Sequence, residues 1–132
     1  MEEYKVRVYA NGNKLWYQNG KLHRLDGPAV DWVDENKSWW QNGKCHRLDG
    51  PAIERANGDK LWYQNDKLHR LDGPAIEEAN GNKYWYIDDE KLTEEEFNDR
   101  TSNVEVNEVT LEDIAKAMNI DVDKLRIKGM HI

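Results

Sequence analysis

The chain has 132 residues, of which 34% are charged, and its formal net charge is −7. This length allows one domain, or one domain with a small appendage. Residues 1–87 carry 13 acidic and 13 basic residues, so the whole net charge arises from residues 88–132. Because this acidic end repels phosphate groups, we expect neither direct nucleic-acid binding nor binding to anionic membranes. A basic protein partner is the better match for it.

The cysteine content and the hydropathy pattern bear on the location of the protein. Cys45 is the single cysteine, which excludes a disulfide framework within the chain, and it is expected to act as a small apolar residue. No apolar run approaches the length of a membrane span, and the first residues do not resemble a signal peptide. We therefore expect a cytoplasmic protein that does not enter a membrane.

A short alternating segment opens the chain, and a repeat follows it. Residues 4–9 begin with apolar and polar side chains in alternation, which predicts a strand. The string His-Arg-Leu-Asp-Gly-Pro-Ala then occurs at 23–29, 46–52 and 69–75, always 23 residues apart. Four tryptophans keep the same step: Trp16, Trp39, Trp62 and Trp85. One supersecondary unit is therefore predicted to be stacked about four times.

Each unit has the sequence features of a β-hairpin. An aromatic segment, residues 14–18 in the first unit, lies between two Asn-Gly pairs, which favour type I′ turns. Gly-Pro then precedes a second short strand, expected at 29–33, 52–54 and 75–77. We predict a mainly β chain in which an elongated, single-layer array of about four stacked hairpin repeats spans residues 1–92.

Residues 93–132 form an acidic segment that is predicted to be mainly helical. The sequence from Thr93 has capping-box spacing, and the short helix that it starts is expected to end at Asp99 or Arg100. A second helix is predicted from Thr110, with one apolar face. These helices would cap the last hairpin, bind a protein partner, or join a second copy of the chain into a homo-oligomer.

The repeated His and Asp residues are predicted to be structural. They are His23, His46 and His69, with Asp26, Asp49 and Asp72. Units of two strands would lie about 9–10 Å apart, whereas the ligands of one zinc ion lie within about 3.5 Å of each other. We therefore expect no metal site; each His, or the Arg beside it, should pair with the Asp or with a carbonyl and fix the loop. No nucleophile or phosphate loop indicates catalysis, so we expect neither enzymatic activity nor a cofactor.

The aromatic residues are the candidate binding surface. Alternate side chains of a strand face opposite ways, so the recurring tryptophans share one face and a second aromatic row shares the other. The residues of this candidate surface are Tyr17, Trp40, Tyr63 and Tyr86, together with Trp32. One row should be buried between hairpins and the other partly exposed. The acidic Glu94, Glu95 and Asp99 are the candidates for contact with a basic partner.

The Trp-x-x-Asn-Gly-Lys-x-His core of these units resembles the MORN repeat, in its divergent variants, over residues 4–92. The likeness ends after the His, where Arg-Leu-Asp-Gly-Pro-Ala stands in place of Gly-x-Gly. This variety is similar to repeats in proteins of bacteriophages and large viruses, and residues 91–97 resemble the usual close of such arrays. The resemblance implies a β-hairpin array that binds or scaffolds partners.

The leading functional hypothesis is a non-enzymatic protein-binding module. The resemblance to phage repeats implies, more narrowly, a protein that acts in the host cytoplasm. There it would bind and inhibit a host protein involved in defence or in handling nucleic acids. The alternative is a carbohydrate or small-ligand binding module that uses an exposed aromatic row, as in the hairpin repeats that bind choline or glucan.

Overall fold

The computed structural model describes residues 3–102 of the chain. The chain divides into two compact units, residues 1–99 and residues 100–132. The compact unit of residues 1–99 therefore includes residues beyond 92, where the repeat array is predicted to end. The helix predicted from Thr110, with the partner and oligomer contacts proposed for it, lies outside the described residues.

The described residues are mainly β, as the sequence predicts. In chain order the elements are β1 (Tyr4–Val8), β2 (Lys14–Gln18), β3 (Lys21–Leu22), β4 (Val30–Asp31), β5 (Lys37–Ser38), β6 (Trp40–Gln41), β7 (Lys44–Cys45), β8 (Ile53–Glu54), β9 (Lys60–Leu61), β10 (Tyr63–Gln64), β11 (Lys67–Leu68), β12 (Ile76–Glu77), β13 (Lys83–Ile87), β14 (Glu90–Leu92) and the helix α1 (Glu94–Ser102). Ten strands form one antiparallel sheet, and the pairs β6–β7 and β10–β11 form two small sheets.

The ten-stranded sheet carries a different chemistry on each face. Directly opposite residues of paired strands lie on the same face, and the register places small or apolar side chains in one row. That row is Leu15, Val30, Ser38, Ile53, Leu61, Ile76 and Tyr84. The row beside it on the other face alternates in charge: Lys14, Asp31, Lys37, Glu54, Lys60, Glu77 and Lys83. Opposite charges on neighbouring strands therefore support the stacking of the units.

The repeated tryptophan divides each long strand between two ladders. In the second unit the Trp39 N–H donates to the Ala52 carbonyl (2.7 Å), while the Trp39 carbonyl accepts from the His46 N–H (3.0 Å). The residues before Trp39 thus pair in the large sheet, and those after it pair in a small hairpin. The five-residue strand predicted for each unit is continuous in β2 and β13 but interrupted at Trp39 and Trp62.

The two Asn-Gly turns of a unit differ. At Asn19-Gly20 both residues have positive φ (51° and 80°), which confirms the predicted type I′ turn. At Asn11-Gly12 only Gly12 does (95°), so the type I′ prediction is wrong there. The Asn11 side-chain oxygen instead accepts from the Asn13 N–H (3.0 Å). This Asx turn leaves only the glycine in the left-handed region.

Replacing Glu35 with Gly is expected to stabilise the protein. Glu35 has φ 75° at the turn position where the other units have Gly12, Gly58 and Gly81. The left-handed region costs an ordinary residue about 1–2 kcal/mol, and the added freedom of glycine in the unfolded chain offsets about 0.5–1 kcal/mol of that. Urea denaturation should therefore show a gain of about 0.5–1 kcal/mol in unfolding free energy. The reverse change, Gly58→Glu, should destabilise, and a loss of stability in Glu35→Gly would contradict the assignment of strain.

The core is thin, and its fully buried residues are small, while Leu92 and Phe97 are nearly buried at the end of the array. Ala29, Ala52 and Ala75 are fully buried, and Cys45 is nearly so. Burial, and then the nearby Asp66 carboxylate, raise the pKa of the Cys45 thiol to about 12. The thiol is therefore protonated at neutral pH and behaves as a small apolar group.

Helix α1 begins with the predicted capping box. The Thr93 N–H donates to the Glu96 carboxylate (2.9 Å), and the Glu96 N–H donates to Thr93 Oγ1 (3.1 Å). Phe97 is the buried residue of the helix. The helix runs to Ser102 rather than ending at Asp99 or Arg100, because neither Gly nor Pro stands there to end it.

Candidate functional site

The Arg after each repeated His makes three contacts that recur in all three units, which we call the arginine clamp; Arg47 and Arg70 also lie 3.3 and 3.5 Å from the carboxylates of Glu54 and Glu77. In the second unit the Arg47 guanidinium lies 3.8 Å from the centre of the Trp39 ring. Its Nε donates to Asp49 (2.8 Å), and its Nη1 donates to the carbonyl of Pro51 (3.0 Å). Arg24 and Arg70 make the same contacts with their own Trp, Asp and Pro residues. The clamp confirms the prediction that Arg fixes the loop.

The glycine of each loop is required by the clamp. A Cβ added to Gly50 would lie 3.0 Å from Arg47 Cζ, and one added to Gly27 or Gly73 would lie 2.8 or 2.9 Å from the matching arginine. These distances are shorter than ordinary van der Waals contact. The guanidinium therefore fills the space between the Trp ring and the backbone of the loop. None of these three glycines has positive φ, so their role is close approach.

The clamp also changes the acidity of the loop carboxylates. Hydrogen bonding and charge from Arg47 lower the pKa of Asp49, and Arg24 lowers the pKa of Asp26 in the same way. A lowered pKa adds stability above the ordinary Asp pKa, and this stability is lost as the pH falls through the lowered value. Because both carboxylates are exposed, water screens the ion pairs and the effect on folding is small.

The histidines join successive units rather than fixing their own loops. Nδ1 of His23 accepts from the Asn42 N–H (3.0 Å), and Nδ1 of His46 accepts from the Asn65 N–H (3.1 Å). His69 bonds the Asp88 N–H in the same way. An accepting Nδ1 places the proton of a neutral imidazole on Nε2. Of the two residues predicted to fix the loop, the Arg therefore does so, whereas the ring partner of the His lies 19 residues further on.

Two further sets of bonds cross between units. The Asn36 side-chain oxygen accepts from the Ala56 N–H (2.8 Å), and a carboxylate oxygen of Asp66 accepts from the Cys45 N–H (2.7 Å). Side chains at turns thus satisfy backbone groups of the neighbouring unit.

Among residues 3–102, no group of three or more His, Cys, Asp and Glu side chains is placed to hold a metal ion.

The residues that the clamp leaves exposed form a repeated surface, the leucine–aspartate row. Its members are Leu25, Asp26, Leu48, Asp49, Leu71 and Asp72. The leucines are 74%, 74% and 58% exposed, and the aspartate side chains are 87%, 87% and 86% exposed. Grooves of about 490 and 440 Å³ lie between successive loops and are lined in part by these residues.

Sequence reasoning did not single out the leucines of this row. The available signal was an apolar residue at a fixed position of a loop whose neighbours are Arg and Asp. A loop residue of that kind is either covered by another element or exposed for contact. The sequence alone does not distinguish these two cases, and the structure places all three leucines on the surface.

The predicted aromatic rows do not form an open aromatic face. Tyr17, Trp40, Tyr63 and Tyr86 are all half-buried, as is Trp32. The Trp32 ring lies 6.5 Å from that of Tyr9 at an angle of 58°, and the Trp40 Nε1–H donates to Ser38 Oγ (2.7 Å). The tryptophan row is half-buried too, and arginines cover Trp16, Trp39 and Trp62. Both rows thus contribute to packing.

The acidic candidates lie on helix α1. Glu94 and Glu95 are exposed in its first turn, and Asp99 is exposed further along it. Acidic side chains in the first turn complement the positive end of the helix dipole. Their contact with a basic partner stays a prediction.

Comparisons of the chain with protein-family models, with curated proteins and with solved structures find no match. Within the described part of the chain, no helix is both long enough and apolar enough to cross a membrane.

Proposed function

We propose that the protein is a non-enzymatic protein-binding module made of MORN-like repeats, and that the leucine–aspartate row is its contact surface. One observation carries the proposal: an exposed leucine stands beside an exposed aspartate at the same position of three successive loops. Soluble proteins expose contiguous apolar surface mainly where they bind a partner. Repeat arrays commonly bind along such extended surfaces.

The loops that carry the row are held in one conformation. Each is tied by an arginine that stacks on a tryptophan and donates to a carbonyl near the end of the loop. A surface ordered before binding loses little conformational entropy when it meets a partner. Because each unit contributes two strands to the large sheet, the leucines recur at about 9–10 Å. A matching partner presents apolar side chains at a similar spacing.

The aspartates indicate the charge of the partner. Arg47 uses one carboxylate oxygen of Asp49, yet the Asp49 side chain remains 87% exposed. A Lys or Arg of the partner, placed beside its apolar contact, would complement this charge. The resemblance to phage repeats supports a narrower form of the proposal, in which the partner is a host protein that the array inhibits.

The alternative function, carbohydrate binding, has less support. Sugar rings stack on open aromatic faces, whereas arginines cover three of the repeated tryptophans. The second aromatic row is half-buried. The geometry therefore favours a protein partner.

The test compares two surface variants in affinity capture from a bacterial lysate. The first replaces Leu25, Leu48 and Leu71 with Ser. The second, Val33→Ser, is a matched control because Val33 is 61% exposed but lies outside the row. We expect the unmodified chain and the control to capture one stoichiometric protein that the triple variant loses. Titration of the purified partner should show binding at least about tenfold weaker for the triple variant, which corresponds to about 1.4 kcal/mol. Equal binding by all three would overturn the proposal.

A further inference from the structure

Strand β1 is the first strand of the large sheet, and within residues 3–102 it pairs with β2 alone. The Asn19 N–H donates to the Glu3 carbonyl (2.7 Å), and the Tyr9 N–H donates to the Asn13 carbonyl (2.9 Å). In an antiparallel pair, every second residue makes backbone hydrogen bonds to the neighbouring strand. Lys5 and Arg7 are in the same alternating set as Glu3 and Tyr9, so their backbone groups also point toward β2. The N–H and C=O groups of Val6 and Val8 therefore point away from β2.

The side chains of β1 divide into an apolar and a basic set. Tyr4, Val6 and Val8 are 65%, 51% and 61% exposed on one face. Lys5 and Arg7 lie on the opposite face, where the Arg7 guanidinium is 5.8 Å from the centre of the Tyr17 ring. Glu3 lies on that face too, with its carboxylate 3.3 Å from Lys5 Nζ, but both side chains of this pair are exposed, so water screens it and the face keeps a positive balance. A strand lying along this edge would have one row of side chains beside apolar groups and the other beside two cations.

A groove continues the apolar side of this edge. It has a volume of about 350 Å³ and is lined in part by Val6, Trp16, Arg24 and Leu25. An apolar side chain of an added strand, placed opposite Val6, would lie at this groove. The edge thus offers both backbone hydrogen bonds and a place for a side chain, which are the two requirements of strand addition.

We propose that β1 is a site for β-strand addition, and that its occupant is an extended segment of another protein in which acidic residues alternate with apolar ones. The charges of Lys5 and Arg7 select this occupant. Symmetric pairing of two β1 strands over their full length would place Lys5 opposite Arg7, and like charges opposite each other are unfavourable. Charged edge residues of this kind prevent sheets from joining to themselves. Acidic residues at the same positions would instead be attracted.

The proposal is tested with the full-length protein and two fluorescent synthetic peptides, one repeating Val-Glu and the other repeating Val-Lys. Fluorescence anisotropy should show at least about tenfold tighter binding of the Val-Glu peptide, with a difference that decreases as salt is added. The amide NMR signals of Val6 and Val8 should shift on binding more than those of Lys5 and Arg7. Equal binding of both peptides, or binding of neither, would overturn the proposal.

Two variants separate strand addition from general attraction. Val6→Pro removes an N–H that points away from β2, and proline is tolerated at such edge positions, so peptide binding should fall at least about tenfold while the fold is retained. The double variant Lys5→Glu, Arg7→Glu should prefer the Val-Lys peptide. An unchanged preference in the double variant would contradict the role assigned to these charges.

The sequence of the chain itself contains Val-Glu-Val at 104–106, outside the described residues. Analytical ultracentrifugation of the full chain therefore identifies the source of the strand. A monomeric protein that still binds the Val-Glu peptide supports a separate partner. Self-association that Val6→Pro abolishes would overturn a separate partner and assign the edge to a second copy.

Discussion

Replacing Arg47 with Ala is expected to lower the free energy of unfolding by about 3 kcal/mol. The variant loses the stacking of the guanidinium on Trp39, which contributes about 1 kcal/mol, and the hydrogen bond to the Pro51 carbonyl, which contributes about 2 kcal/mol because the donor is charged. The ion pairs with Asp49 and Glu54 add little, since the first carboxylate is 87% exposed and the second, at 3.3 Å, is 38% exposed. In a chain with so thin a core, this loss is a large part of the total stability.

Urea denaturation followed by tryptophan fluorescence measures this effect. The matched control is Asp49→Asn, which removes the ion pair with Asp49 but leaves the stack, the carbonyl bond and the contact with Glu54 in place. It should change the stability much less than Arg47→Ala does. Arg47→Lys should lie between the two, because an ammonium group donates to the carbonyl but does not stack as a planar guanidinium. Similar losses for Asp49→Asn and Arg47→Ala would show that the ion pair, rather than the stack, holds the loop.

Replacing Gly50 with Ala is expected to destabilise the protein by about 2 kcal/mol, in the range of other overpacked sites. The added methyl group would lie 3.0 Å from Arg47 Cζ and would displace the guanidinium from Trp39 or the loop from its position. Gly50 does not have positive φ, so backbone strain does not contribute to the loss. The measurement is again the midpoint of urea unfolding. If the free energy of unfolding falls with urea at the same slope in both proteins, the substitution has not changed the unfolded state.

The double variant Arg47→Ala, Gly50→Ala tests whether arginine and glycine depend on each other. The three atoms nearest to the added methyl group all belong to the Arg47 guanidinium, so Arg47→Ala removes these contacts. Ala also loses less conformational entropy on folding than Gly does. In that background Gly50→Ala should therefore be neutral or stabilising, which gives a coupling energy of about 2 kcal/mol. Additive losses in the double variant would show that Gly50 is required for another reason.

Much of the fold is predictable from the sequence because each unit is short and its signals are local. The aromatic segment of 14–18, the Asn-Gly turn at 19–20 and the Gly-Pro before Val30 each specify backbone structure within a few residues. The mainly β fold and the capping box at Thr93 are confirmed. The turn at Asn11 was mispredicted, because an Asn side chain there competes with the backbone for a hydrogen bond.

The candidate site was less predictable than the fold. Residue type indicated that the aromatic residues would provide the surface, but the aromatic rows are half-buried and the leucines of the loops are exposed instead. Which side chain is covered depends on the path of Arg47 across Trp39, and that path depends on the missing Cβ of Gly50. Neither the composition of the chain nor the spacing of its residues predicts this placement of the Arg47 side chain.

By itself, the sequence determined the 23-residue unit, its strands and most of its turns, because these follow from interactions between residues close together in the chain. Only the tertiary structure decided which groups join the units. The imidazole of His46 and the side chain of Asn36 each accept from a backbone amide of the next unit. The side chain of Asp66 accepts from a backbone amide of the preceding unit, that of Cys45. These bonds require two units already stacked in register, and stacking is a property of neighbouring surfaces rather than of one segment.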